Sequence, residues 1–180
     1  MEQTQVKKAA LHNLGCKVNS YETEVMEQQL REAGYQIVPF APGADVYVIN
    51  TCSVTNVADR KSRQMLHRAK KMNPGAVIVA AGCYVQTAVE RTGLAVEADI
   101  ILGNNQKKDL ILALEEYERE QKTRRISRVI DINHTGEYEE MFLNRTGEHT
   151  RAYIKVQDGC NQFCSYCVIP YARGRARSRR

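Results

Sequence analysis

The chain has 180 residues, with 26 lysines and arginines against 21 aspartates and glutamates, for a net charge of +5. Hydrophobic residues at 43% exclude a disordered chain, and a mean hydropathy of −0.48 excludes a membrane-embedded one. The longest apolar run, Ala76 to Ala81, falls far short of the ~20 residues that span a bilayer, and the start lacks the apolar core of a signal peptide, so a cytoplasmic protein with no membrane partner is expected.

Lys8 to Asn13 reads as a first strand, followed by a loop with Gly15 and Cys16. Asn19 or Ser20 then offers an N-cap, with Glu22 and Glu24 near the positive end of the helix dipole. Tyr21, Val25, Met26, Leu30 and Ala33 share one face of this helix, and Gly34 ends it. Tyr35 to Val38 and Asp45 to Ile49 are the second and third strands. A helix over Asn56 to Met72 stops at Asn73-Pro74-Gly75. Val77 to Ala81 is the fourth strand, Gln86 to Arg91 a short helix, and Ile100 to Leu102 the fifth strand. Lys107 to about Glu120 is a helix with Leu110, Ile111, Leu114 and Tyr117 as its apolar stripe. Near-continuous apolar strands separated by helices predict an α/β fold, a parallel sheet flanked by helices on both faces. Residues 121–150 are polar and irregular and read as a linker, with one possible strand at Arg128 to Ile132. Arg151 to Gln157 alternates with period two and reads as a new strand. The expected organisation is therefore a domain over 1–120, a linker over 121–150, and the start of a second, incomplete domain over 151–180.

Charge and cysteine are both unevenly placed. Residues 151–180 hold seven lysines and arginines against Asp158 alone, and the preceding 150 residues hold 19 positive and 20 negative charges. Any polyanion is therefore offered the C-terminal segment, where Arg173, Arg175, Arg177, Arg179 and Arg180 alternate with small residues. A solvated terminus is the plainer account of the same run. The basic helix bearing Arg60, Lys61, Arg63, Arg68, Lys70 and Lys71 admits the same two readings.

Cys16, Cys52 and Cys83 each follow a predicted strand. The strands of a parallel sheet end on one edge, where ligands bind, so three thiols far apart in sequence are expected at one mouth. Three thiols without a fourth ligand suit a metal centre with an open position, although a lone free cysteine is also a good small core residue. The second group, Cys160, Cys164 and Cys167, has the spacing C-x3-C-x2-C. Packed thiolates on one loop can hold three irons of a cubane cluster. A structural zinc would want a fourth ligand, and the nearest histidine, His149, lies beyond a predicted strand.

C-x3-C-x2-C with Tyr166 before the last cysteine resembles the radical S-adenosylmethionine enzymes. Further segments narrow the likeness: Leu14 to Asn19, Asn50 to Asn56, Ala81-Gly82-Cys83, and Gly159 to Arg179. With these, the chain resembles the methylthiotransferase family. The resemblance implies two 4Fe-4S clusters, an auxiliary one on Cys16, Cys52 and Cys83 and a radical one on Cys160, Cys164 and Cys167. It implies S-adenosylmethionine both as methyl donor and as radical source, with Tyr166 near the adenine and Arg173 and Arg179 near the cofactor. Partners implied are tRNA and an electron donor such as flavodoxin or ferredoxin. Gly15 to Glu24 and Thr55 to Arg60 look most like the branch acting on threonylcarbamoyladenosine in tRNA. Branches acting on isopentenyladenosine or on a ribosomal-protein aspartate stay open, as does a non-catalytic RNA-binding module with structural zinc.

By the same resemblance, the last thirty residues correspond to the first strand and cluster loop of a (βα) barrel. Such a barrel needs on the order of 200 residues by analogy with larger (β/α) barrels. The chain is thus expected to be an N-terminal portion, inactive alone.

Overall fold

The computed structural model describes residues 6–92, 96–144 and 152–179. His149, Arg151 and Arg180, singled out above, lie outside the described residues.

Six strands form one wholly parallel sheet in the order β2-β1-β3-β4-β5-β6. They are β1 (Lys8–Asn13), β2 (Gln36–Ile37), β3 (Val46–Thr51), β4 (Val77–Gly82), β5 (Ile100–Leu102) and β6 (Ile126–Arg128). Parallel pairing requires a crossover between neighbours, and the helices supply it: α1 (Lys17–Glu32), α2 (Asn56–Met72), α3 (Cys83–Thr92) and α4 (Leu110–Arg119). Every residue of β3 and β4 is buried, as expected of central strands covered on both faces.

Side chains alternate across the strands, and this alternation builds two cores. Val46 and Val48 join Tyr21, Val25, Met26 and Leu30 of α1 and Leu110 and Leu114 of α4 on one face. Tyr47 and Ile49 join Leu66 and Ala69 of α2 and Val85 and Ala88 of α3 on the other. Each fully buried Leu or Ile contributes about 1.5–3 kcal/mol.

Helix α2 begins and ends where its signals predict, because Thr55 accepts a hydrogen bond from the Ala58 amide at 3.1 Å. Thr55→Ala is therefore expected to cost about 1 kcal/mol, read as a lower midpoint in urea denaturation.

Other boundaries differ from expectation for identifiable reasons. Helix α1 starts at Lys17 with Cys16 as its N-cap residue, which makes no side-chain cap bond. The predicted cap Asn19 instead spends its amide on the Thr51 carbonyl at 2.9 Å, and Ser20 accepts from Asn13 at 2.8 Å. Helix α3 starts at Cys83 rather than Gln86. A 3-10 turn over Lys107–Asp109 precedes α4. The strand expected at Arg128 to Ile132 forms at Ile126–Arg128 and joins β5 at the sheet edge. Beyond Arg128 the backbone turns to side chains of α3, with Ile130 O accepting from Gln86 and the Ile132 amide donating to Glu90.

Over residues 152–156 the alternation expected from 151 to 157 is present but inverted. Ile154 and Val156 are 72% and 61% exposed while Lys155 points inward. Only Gln157–Asp158 (β7) pairs as a strand, antiparallel to Arg177–Ser178 (β8), and a short helix α5 (Ile169–Arg173) lies between them. Among the described residues no helix is long and apolar enough to cross a membrane.

Candidate cysteine site at the carboxyl edge of the sheet

Because all the sheet strands run the same way, their carboxyl ends form one edge, and Cys16, Cys52 and Cys83 follow β1, β3 and β4 there. Cys52 and Cys83 are buried, and Cys16 is exposed. Ser62 of α2 grips Cys52 from both sides, donating to its carbonyl at 3.0 Å and accepting from its amide at 3.3 Å. Gly82 sets the approach of Cys83. Its φ of +99° suits glycine, and a Cβ there would stand 2.6 Å from both Asn50 Oδ1 and the Thr51 carbonyl oxygen. Thr87 donates to the Cys83 carbonyl at 3.0 Å, and Asn104 Nδ2 lies 3.5 Å from Cys83 Sγ.

Burial pushes the Cys52 thiol up, and Cys83 and Cys16 push it further in the same direction, so the three sulfurs share one neighbourhood. They are not preassembled. Among the described residues, no three Cys, His, Asp or Glu side chains stand in a metal-holding arrangement.

The second group sits on the loop between β7 and α5. Cys160 and Cys167 are partly buried, and Cys164 is exposed. The Cys160 amide donates to Gly174 O at 3.0 Å, closing the loop at its base, and the Cys167 amide donates to Cys164 O at 2.9 Å. Phe163, at φ +49°, packs edge-on against Tyr171 with centroids 5.9 Å apart, and Arg175 lies over its ring at 4.8 Å.

Of the other residues singled out, Tyr166 is 90% exposed beside Cys167. Arg179 lies over the Phe142 ring at 5.0 Å. Arg173 is buried, with its guanidinium engaged by Glu22 at 2.9 Å, Asp158 at 2.9 Å and Asn19 at 2.5 Å. His12 packs against Phe40, His67 against Glu97 and His134 against Asp131, ordinary partners for ordinary histidines.

Glu22, Lys107, Lys155 and Asp158 form a buried charge network around Arg173 that the sequence reading does not anticipate. Lys107 pairs with Glu22 Oε2, and Lys155 reaches Glu22 Oε1 at 2.7 Å and Asp158 at 2.8 Å. Burial alone would push the Glu22 carboxyl up, but Arg173, Lys107 and Lys155 hold it well below the usual carboxylate range. Lys155, opposed by the same burial, is raised by Glu22 and Asp158. One signal for Glu22 was present: it lies on the helical face of Val25, Met26 and Leu30, where an unpaired charge is costly.

The donor chemistry of both groups is soft thiol sulfur, three to a group, which suits iron–sulfur clusters that keep one iron open.

A parallel six-stranded sheet with a cysteine after each of three strands has a counterpart among known sequences. Residues 8–103 match the family described as Uncharacterized protein family UPF0004, and the chain belongs to that family. Particular relatives carry functional names. The chain is 45% identical over 94% of its length to the threonylcarbamoyladenosine tRNA methylthiotransferase MtaB of Bacillus subtilis, and 41% identical over 95% to MtaB of Aquifex aeolicus. It is 34% identical over 92% of its length to the tRNA-2-methylthio-N(6)-dimethylallyladenosine synthase of Moorella thermoacetica. The chain spans 37%, 41% and 38% of the lengths of these three relatives.

Proposed function

We propose that the chain is part of a tRNA methylthiotransferase that places a methylthio group at carbon 2 of threonylcarbamoyladenosine. The observation that carries this reading is three cysteines that follow strands at one sheet edge and three more on one loop, in a chain whose relatives bear that name. In this reading the sheet domain, which the structure extends from the expected residue 120 through β6 at Ile126–Arg128, is the auxiliary domain, the stretch after it a connection, and 151–180 the start of a radical domain. The protein works in the cytoplasm with tRNA and a small electron donor such as flavodoxin or ferredoxin.

Cys16, Cys52 and Cys83 would hold one 4Fe-4S cluster, and Cys160, Cys164 and Cys167 the other. When bound, the clusters supply one-electron chemistry toward S-adenosylmethionine and sulfur for insertion. The chain's own part is positional. Gly82 and Ser62 place Cys83 and Cys52, while exposed Tyr166 and Arg179 are free to meet the cofactor. Arg173 stands behind them, its guanidinium already bonded within the protein.

Three measurements test the reading. Anaerobic reconstitution is expected to give about eight iron and eight sulfide per chain, the content of two cubane clusters. Colourless protein with stoichiometric zinc would sink it in favour of an RNA-binding module. In the intact enzyme, Cys164→Ala should abolish cleavage of S-adenosylmethionine, whereas Cys52→Ala should spare cleavage and stop sulfur insertion. Nucleoside analysis of tRNA from cells lacking the gene then decides the substrate. Loss of 2-methylthio-threonylcarbamoyladenosine supports the assignment. Loss of the isopentenyl derivative instead would transfer it to the branch of the Moorella relative.

A further inference from the structure

The segment from 152 to 179 docks on the sheet domain with an unusual inventory. Its buried residues are Lys155, Asp158, Arg173 and Arg177, with Pro170, Ala172 and Gly174 beside them, and Tyr153 packs half-buried against the sheet core. Ile154, Val156 and Tyr166 face outward. Apolar burial is small for a segment of this length, and buried charged contacts supply much of the rest of the hold.

Those contacts converge on Glu22. It is 1% exposed and receives Lys107 from the turn after β5, Lys155 from the approach to the cysteine loop, and Arg173 from the helix that leaves it. Asp158 ties Lys155 to Arg173 at 2.8 and 2.9 Å, across the base of that loop. Asn19 accepts from Arg173 at 2.5 Å while donating to Thr51 O, next to Cys52. An uncharged contact lies alongside: Asn104 donates to Ala172 O at 2.6 Å from its place beside Cys83.

We propose that Glu22 is the positioning residue of a buried latch. The latch docks the loop carrying Cys160, Cys164 and Cys167 on the carboxyl edge of the sheet, and so sets the separation of the two cysteine groups. What that separation serves rests on the cluster reading; the docking does not. With buried Glu139 and Arg177 beside them, Glu22 and Asp158 belong to a network of four cations against three carboxylates, so removing the Glu22 charge leaves four against two and drives the loop end off the sheet. The cores of the sheet domain contain none of these groups and stay closed.

Amide hydrogen exchange on the metal-free full chain tests this, comparing the parent with Glu22→Gln and Asn104→Ala. The amides that close the loop, Cys160 onto Gly174 O and Arg179 onto Val156 O, are expected to exchange about tenfold faster or more in both variants. Those of β3 and β4 should be unchanged. Unaltered exchange over 157–179, or equal acceleration throughout β3 and β4, would overturn the proposal. Should Glu22→Gln fail to fold, Asn104→Ala decides alone, since it changes no charge. In reconstituted protein, the magnetic interaction between the two reduced clusters should weaken in both variants while iron content holds. A protein that binds zinc or a single cluster, yet shows the exchange changes, would remove the cluster reading and leave the latch standing.

Discussion

Arg173→Met is expected to lower stability by about 3–5 kcal/mol, the cost of breaking a buried ion pair and leaving charge behind. The side chain is 3% exposed and serves two carboxylates and an amide at once. Its loss strands Asn19 Oδ1 and removes the cation that most depresses Glu22. Lys107→Met, at an equally buried site, is expected to cost less, about 1–3 kcal/mol. There the network, counted with buried Glu139 and Arg177, passes from four cations against three carboxylates to three against three. Urea denaturation of both variants measures the difference, and an equal cost would show that charge balance is not what matters.

The pH dependence follows from the same groups. Glu22 is held below its unfolded value, so its stabilisation is complete above about pH 4.3 and is lost as pH falls through the folded value. Lys155 is raised, so its contribution is complete below about pH 10.4 and is lost as pH rises through its folded value. Arg173→Met should move the acid limb to higher pH, because burial would then meet less opposition at Glu22. An acid limb unmoved by the substitution would contradict the pairing.

Gly159→Ala is expected to unfasten the cysteine loop. Gly159 has φ +75°, and a Cβ would stand 2.2 Å from Arg175 O and 2.5 Å from Gly174 O, both backbone atoms with no flexible end to give way. Left-handed strain alone costs about 1–3 kcal/mol, and relieving the overlap means breaking the bond from the Cys160 amide to Gly174 O. A loss of about 2.8 kcal/mol corresponds to roughly hundredfold faster exchange at that amide. Exchange at the parent rate would show that the turn tolerates a side chain.

The sheet was readable because its signals are local. Strands buried on both faces read as apolar runs, and the three cysteines stand directly after them, so topology alone brings them to one edge. Helix α2 was legible to the residue because its stop at Asn73-Pro74-Gly75 is written in the chain, while its Thr55 cap is added by the structure. The charge network was not. With a cap expected at Asn19 or Ser20, Glu22 falls in the first turn where the helix dipole accounts for it; α1 in fact begins at Lys17, beyond that account, and the partners of Glu22 are 85, 133 and 151 residues away. Nor can a single sequence say which arginine of an alternating run faces inward. The pairing of two-residue strands decides that, and neither strand is long enough to carry its own pattern. The same weakness explains Arg151 to Gln157: the period of two was legible, but the polar phase faces inward because Lys155 has a carboxylate to meet.

The strand order has a bearing on assembly during synthesis. From β1 the sheet grows outward as β3, β4, β5 and β6 emerge, each against the edge left by its predecessor, with β2 on the free side of β1. No strand must be forced between two already placed. The charged loop returns only after that surface is complete, since Arg173 follows the last sheet strand by 45 positions. The first three thiols therefore leave the ribosome together with the sheet that carries them, before the second three have been made.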